Sequence, residues 1–237
     1  MSQSERMQPR SSDGRDDKTL VYLVRHGVTE WNVQRRFQGQ LDVPLSKEGE
    51  EQARAVADWL SKQPVHFQAI YSSDLSRAAQ TASVIGATLG IDPQFSTALR
   101  EINCGEWQGL SIGEVEDRYP GQLRAWDEKG ADFVLPGGEC ERDVQSRVYA
   151  FYREITEKHR GQAIIIVSHG LALSGLQAAL MGWEIADARR TKRGRLGNAG
   201  VTALSVGKLP GESVVLFANS TIHLPPASDI TTVADRD

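Results

Sequence analysis

Arg25 and His26 stand at the end of an apolar run, TLVYLV (19–24), and Ser168, His169 and Gly170 stand at the end of another, AIIIV (163–167). Between them, SSDLSRAAQTA places Ser72, Ser73, Asp74 and Arg77 at the end of a shorter run, QAIYSS (68–73). If these runs are parallel strands, their carboxyl ends bring two guanidinium forks and two imidazoles to one rim, where the following helices offer free backbone amides. Such a set suits a dianionic tetrahedral group, which arginine grips through bidentate, charge-assisted hydrogen bonds.

The elements that must carry these residues follow from periodicity. The first and last runs are continuously apolar and β-branched, the pattern of strands covered on both faces. Helical spacing links them: Ala53, Val56, Ala57 and Leu60 with Ser46 as N-cap; Leu75, Ala78, Ala79, Ala82, Ile85 and Leu89 closed by Gly90; and Val144, Val148, Phe151 and Ile155 after Glu139. Strands alternating with helices predict an α/β fold, a three-layer α/β/α sandwich with a mostly parallel central sheet and helices on both faces. NAGVTALSV and SVVLFAN add later strands open to antiparallel pairing. Residues 102–140, with Trp107, Trp126 and a PGG turn at 136–138, read as a lid insertion over one end of the sheet. One domain is expected over 18–224, with a disordered tail at 1–17 and a flexible tail at 225–237.

The words LVRHGVTEWN, RRFQGQLDVPLSKEG, SSDLSRAAQTA, LREINCGEWQG and VSHG occur in this order. Together, over about residues 19–224, they resemble the histidine phosphatase (phosphoglycerate mutase-like) superfamily, and are most similar to its cofactor-independent phosphatase branch. The resemblance implies a metal-independent phosphatase that hydrolyses a phosphomonoester through a phosphohistidine intermediate, with no cofactor. Carried over by position, it makes His26 the nucleophile and Glu101 the proton donor and acceptor. It gives Arg25, Asn32, Arg77 and His169 the phosphate pocket, with Gln38 and Gly39 contributing from the loop after the first strand. The chemistry of these residue types agrees. An imidazole with a reference pKa of about 6.5 is mostly neutral at pH 7, and nearby guanidinium groups disfavour its protonation further. Prepositioned arginines and a cationic or donor His169 would stabilise charge developing on the phosphoryl oxygens. A carboxylic acid kept protonated in a dry or anionic site can protonate the leaving alkoxide and then activate water.

A formal net charge of −4 and a pI near 5.8 argue against nucleic acid or an anionic membrane as partner, leaving a small-molecule phosphomonoester. A homodimer is compatible with this reading. Cys104 and Cys140 lack CxxC or metal-site spacing and read as free thiols. No apolar run reaches the roughly 20 residues of a membrane span. MSQSERMQPRSSDGRDDK lacks a signal-peptide core and carries four acids, so a cytoplasmic protein is expected.

Several residues have plainer readings. His66, His159 and His223 fit no shared site, and the tight HExxH spacing of a zinc centre is absent. Glu106 and Glu139 compete with Glu101 for the acid role. Trp107, Trp126 and Phe133 either wall the substrate cavity or form the insertion's own core. Arg189 to Arg195 holds five basic residues in seven, a solvated loop or a recruiter of an anionic substrate or partner. The rival activity is a mutase, against which the acidic character of INCGEWQGLSIGEVEDRYPGQLRAWDEKG weighs; a non-catalytic phosphoprotein-binding module would be expected to lack His26.

Overall fold

The apolar runs become the middle of a six-stranded sheet, described here from a computed structural model over residues 18–207 and 212–225. The tail expected at 1–17 lies outside the described residues, as does all but Pro225 of the one expected at 225–237. The strands are β1 (Thr19–Arg25), β2 (Phe67–Ser73), β3 (Gln94–Ser96), β4 (Ala163–Ser168), β5 (Val201–Val206) and β6 (Val214–Ser220). Two helices, α1 (Glu30–Val33) and α2 (Lys47–Ser61), follow β1, and α3 (Ser76–Leu89) follows β2. Then come α4 (Ile112–Arg118), α5 (Gln122–Lys129), α6 (Glu141–Lys158), α7 (Gly170–Met181) and α8 (Ile185–Arg190). The strand order is β3-β2-β4-β1-β5-β6; the first four are parallel, and β5 runs antiparallel to both β1 and β6.

Strand periodicity explains why β1 and β4 read as unbroken apolar runs. Val21 and Leu23 enter one core and Tyr22 and Val24 the other, and in β4 Ile164 and Ile166 oppose Ile165 and Val167 in the same way. Ile164, Ile165 and Ile166 are fully buried, each contributing about 2 kcal/mol through apolar burial. On one face Val56 and Leu60 of α2 pack with Ala78, Ala82 and Ile85 of α3. On the other lie α6 and α7 together with the insertion residues Trp107, Leu123, Trp126 and Leu135.

The helix boundaries follow their caps. Ser46 Oγ accepts from Gly49 N at 3.1 Å to start α2, and Gly90, at φ +70°, ends α3 in the left-handed conformation. In α6 the buried stripe is Val144, Val148, Tyr152 and Ile155. Phe151, expected in that stripe, is half-buried on its shoulder, its ring 5.8 Å from that of Tyr71. Trp107 is fully buried, its ring 5.3 Å from Phe37, 5.7 Å from Trp126 and 6.3 Å from Phe133. Trp107 and Phe133 thus belong to the core of the insertion, while Trp126 and Phe37, from the loop after β1, pack on that core and also line the cleft described below. Among the described residues no helix is long and apolar enough to cross a membrane.

Candidate active site

Parallel pairing sets Arg25 level with Ser168, so His26 and His169 emerge side by side one residue beyond the sheet. His26 N donates to Ser168 O at 3.0 Å, and the His26 carbonyl accepts from Ala199 N and Asn198 Nδ2, both at 3.1 Å. The imidazole Nδ1 lies 2.7 Å from Gly27 O. A carbonyl only accepts, so Nδ1 carries the proton and Nε2 keeps its lone pair. The chain leaves His26 through a close approach that needs glycine: a Cβ on Gly27 would lie 2.4 Å from Gly49 O, and one on Gly49 would lie 2.0 Å from Val28 O.

His169 is fully buried, its ring centroid 5.2 Å from that of His26. Its Nδ1 is 3.2 Å from Arg77 Nε, which can only donate, so the ring proton sits on Nε2. That Nε2 is buried and has no hydrogen-bond partner among the described residues. Burial, and then the Arg77 and Arg25 charges among its neighbours, hold both imidazoles well below the ordinary histidine pKa of 6.5. His169 thus offers its Nε2–H as a donor, one of the two roles expected for it.

Carbonyls hold the two guanidinium groups. Arg77 donates to Gly39 O at 2.7 Å and Leu41 O at 3.0 Å, and Arg25 donates to Leu196 O at 2.7 Å. Burial lowers the pKa of each to about 10, with Glu101 opposing, so both stay cationic at neutral pH. Gly39 has φ +52°, and a Cβ there would meet Gln108 Oε1 at 2.3 Å. Gln38 Oε1 is buried with no hydrogen-bond partner among the described residues. The Asn32 amide oxygen accepts from Thr29 N and Oγ1, both at 3.0 Å, and from Asn198 Nδ2 at 3.3 Å, leaving its NH2 as the group to offer a ligand.

Glu101 caps α7. Its carboxylate accepts from Leu171 N and Ala172 N, both at 3.1 Å, and from Ile102 N at 3.0 Å. Arg25, His26, Asn32, Gln38, Gly39, Arg77 and Glu101 line one cleft of about 580 Å³, and His169 is buried beside them. The structure thus gathers all the expected site residues.

The family model described as the histidine phosphatase superfamily (branch 1) matches residues 21–219. The chain belongs to the histidine phosphatase superfamily. It is 33% identical over 204 residues to phosphoserine phosphatase 1 of Hydrogenobacter thermophilus, covering 86% of this chain and 93% of that one. It is 35% identical over 213 residues to a Salmonella choleraesuis protein named "Probable phosphoglycerate mutase GpmB", covering 88% and 97%. Among solved structures, mycobacterial glucosyl-3-phosphoglycerate phosphatase bound to VO3 matches with a TM-score of 0.76 at 34% identity, covering 85% of this chain and 99% of that one.

Within this histidine phosphatase, the rival acids stand aside. Glu139 pairs with Arg147 at 3.0 Å, and Arg147 in turn donates to the Glu101 carbonyl at 2.8 Å, so Glu139 supports Glu101 from behind. Glu106 is exposed and hydrogen-bonded by Tyr119. Asp74, expected on the rim, pairs with Arg100 at 2.5 Å and lies outside the cleft lining. His159 bonds Tyr71 and Gln162, and His223 donates to Ala199 O, all outside the cleft lining.

Two site residues escaped the sequence reading. Asn198 bridges the His26 carbonyl and the Asn32 amide. Its signal is topological: β5 starts where its antiparallel neighbour β1 ends, with Val201 opposite Val24. Glu141 lines the cleft with 5% of its surface exposed, 3.0 Å from Arg189 Nη1 and 3.1 Å from Trp126 Nε1. Burial raises its pKa, while Arg189 and Trp126 oppose the rise. No local pattern marks it, because its partners lie 15 and 48 residues away in sequence (Trp126 and Arg189). Cys104 also borders the cleft, but burial drives its thiol pKa far up, so it is no nucleophile at neutral pH.

Proposed function

We propose that this protein hydrolyses a small phosphomonoester through a phosphohistidine at His26. The observation that carries the reading is the tautomer pair: His26 Nε2 is left with a lone pair, and the neighbouring His169 Nε2 with a proton and no partner among the described residues. In the first step His26 Nε2 bonds to phosphorus while the bond from phosphorus to the ester oxygen breaks. Arg25, Arg77 and the His169 Nε2 proton face the charge on the phosphoryl oxygens. Glu101 gives a proton to the departing alkoxide. In the second step Glu101 takes a proton from water, the water oxygen bonds to phosphorus, the P–N bond breaks and phosphate leaves. Residues 102–140 act as the lid that selects the ester, and we place the protein in the cytoplasm, where its buried free thiols Cys104 and Cys140 suit a reducing compartment.

Brief mixing with a phosphomonoester followed by denaturation is expected to yield a base-stable, acid-labile phosphate on His26. His26→Ala is expected to lose that adduct and to lower kcat by about four orders of magnitude. Turnover at the parental rate in His26→Ala would refute the mechanism. The likeness to the GpmB protein favours a second reading, phosphoryl return to a reoriented intermediate. Incubation with 3-phosphoglycerate separates the two: inorganic phosphate marks hydrolysis and 2-phosphoglycerate marks a mutase.

A further inference from the structure

The turn that leads into β5 brings no reactive group to the site, yet it grips both residues at the end of β1. The Leu196 carbonyl accepts from Arg25 Nη1 at 2.7 Å, and the Gly200 carbonyl accepts from Arg25 N at 3.1 Å. Between them, Asn198 Nδ2 and Ala199 N both donate to the His26 carbonyl at 3.1 Å. The turn is fixed from its other side as well. Asn219 Oδ1 accepts from Gly197 N at 2.8 Å, and His223 Nε2 donates to the Ala199 carbonyl at 2.9 Å. Ala199 and Asn219 sit at φ of +54° and +43°, a region that side-chain-bearing residues keep only where the surroundings hold them there.

The roles of the two asparagine amides at this turn follow by elimination. Thr29 N can only donate, so the Asn32 atom 3.0 Å from it is the amide oxygen. That oxygen and the His26 carbonyl can only accept, so the Asn198 atom 3.3 Å and 3.1 Å from them is its NH2. One NH2 has two protons and meets both acceptors. Asn32 is 5% exposed and lines the cleft; with its oxygen taken by Thr29 N, Thr29 Oγ1 and Asn198, it turns its own NH2 to a ligand. Phosphoryl oxygens only accept, so an amide turned over would set oxygen against oxygen beside a dianion.

We propose that Asn198 is a positioning residue: by bonding the His26 carbonyl and the Asn32 amide oxygen with one NH2, it aims the Asn32 NH2 at the phosphoryl group and fixes its place relative to the nucleophile. This role rests on the phosphate pocket and the nucleophile assigned above. Asn198 is not among the residues that line the cleft, so it acts on the substrate through Asn32. Asn198→Asp keeps the shape and replaces the donor by an acceptor. Asn32 must then either hold its oxygen against a carboxylate or turn over, which sets its NH2 against the Thr29 N–H and its oxygen toward the phosphate.

The test is a double-mutant cycle with Asn32→Ala, read as steady-state hydrolysis of p-nitrophenyl phosphate and as competitive inhibition by inorganic phosphate, with circular dichroism to check folding. Asn198→Asp is expected to lower kcat/KM by about 100-fold and to raise the inhibition constant of phosphate by about tenfold or more. In the Asn32→Ala background the same change is expected to cost less than about fivefold in kcat/KM, because no amide is left to misdirect. Repulsion between the new carboxylate and the phosphate would persist in that background. Asn198→Ala, in which Thr29 still holds the amide oxygen, is expected to lose about tenfold alone and under about twofold with Asn32→Ala; this pair decides the matter if the aspartate variant does not fold. An equal cost in both backgrounds, or parental kinetics in the Asn198 variants, overturns the positioning role and leaves the phosphate pocket standing. Parental kinetics in Asn32→Ala alone would remove Asn32 from the pocket and overturn both.

Discussion

At the inner end of the cleft Arg25, His26, Arg77 and His169 are each at most 3% exposed, and Arg77 donates to two carbonyls and an imidazole. At the outer end Arg190 and its partner Asp187 have side chains 75% and 64% exposed, and Arg189 is clasped by two acids. Carbonyl dipoles fix a guanidinium in place without cancelling its charge; carboxylates fix it and cancel it. Inside, the positive potential is kept for an incoming dianion in a medium that screens poorly. Outside, Arg189 ties α8 to Asp127 of α5 and Glu141 of α6, and the exposed Arg190–Asp187 pair within α8 contributes about 0–1 kcal/mol.

This contrast predicts that single changes at the inner end outweigh those outside. Arg77→Ala removes a buried cation and the donor that fixes the His169 tautomer; kcat/KM is expected to fall by about 10²- to 10³-fold in steady-state assays. A loss of less than about tenfold would erase the distinction between the two ends. Glu101→Gln comes next and depends on the leaving group. About 100-fold is expected to be lost for an alkyl phosphate, and under about threefold for an aryl phosphate whose phenolate needs no proton. Equal losses for both would assign Glu101 to capping α7 and not to proton transfer.

The smallest effect is a titration. Because both inner imidazoles are held neutral, their NMR resonances are expected to keep neutral positions as pH falls through 6.5. A midpoint at or above 6.5 for either ring would show that the arginines do not act on it as the geometry implies. The same shift sets a stability trend. Below 6.5 the unfolded chain binds protons that the folded chain refuses, so this contribution is complete above 6.5 and is lost as pH drops toward the folded values.

The parts of the site that sequence made legible are those set by strand ends. TLVYLV and AIIIV are buried on both faces, so each reads as a strand without knowledge of its neighbours, and Arg25, His26 and His169 follow immediately. Arg77 was legible for the same reason, one helical turn past β2. What stayed hidden depends on contacts between distant segments. Glu101 meets amides some 70 residues away, and only that contact distinguishes it from Glu106 and Glu139. The five basic residues of 189–195 look alike in one dimension, and only the folded chain shows Arg189 clasped by Asp127 and Glu141 and Arg190 paired with Asp187. Asp74 shows the converse: its place beside a strand end suggested the rim, and a pairing with Arg100 took it elsewhere.

The mutual contact of Gly27 and Gly49 bears on how this chain can vary. With hypothetical Cβ atoms 2.4 Å and 2.0 Å from the facing carbonyl oxygens, any side chain at either position wedges the end of β1 away from the start of α2. Since Gly27 also supplies the carbonyl that orients the His26 ring, such a wedge would displace the reactive nitrogen from its line of attack. A substitution at Gly49, which bears no reactive group and lies 23 positions after His26, would thus reach the catalytic ring as well as the packing of α2.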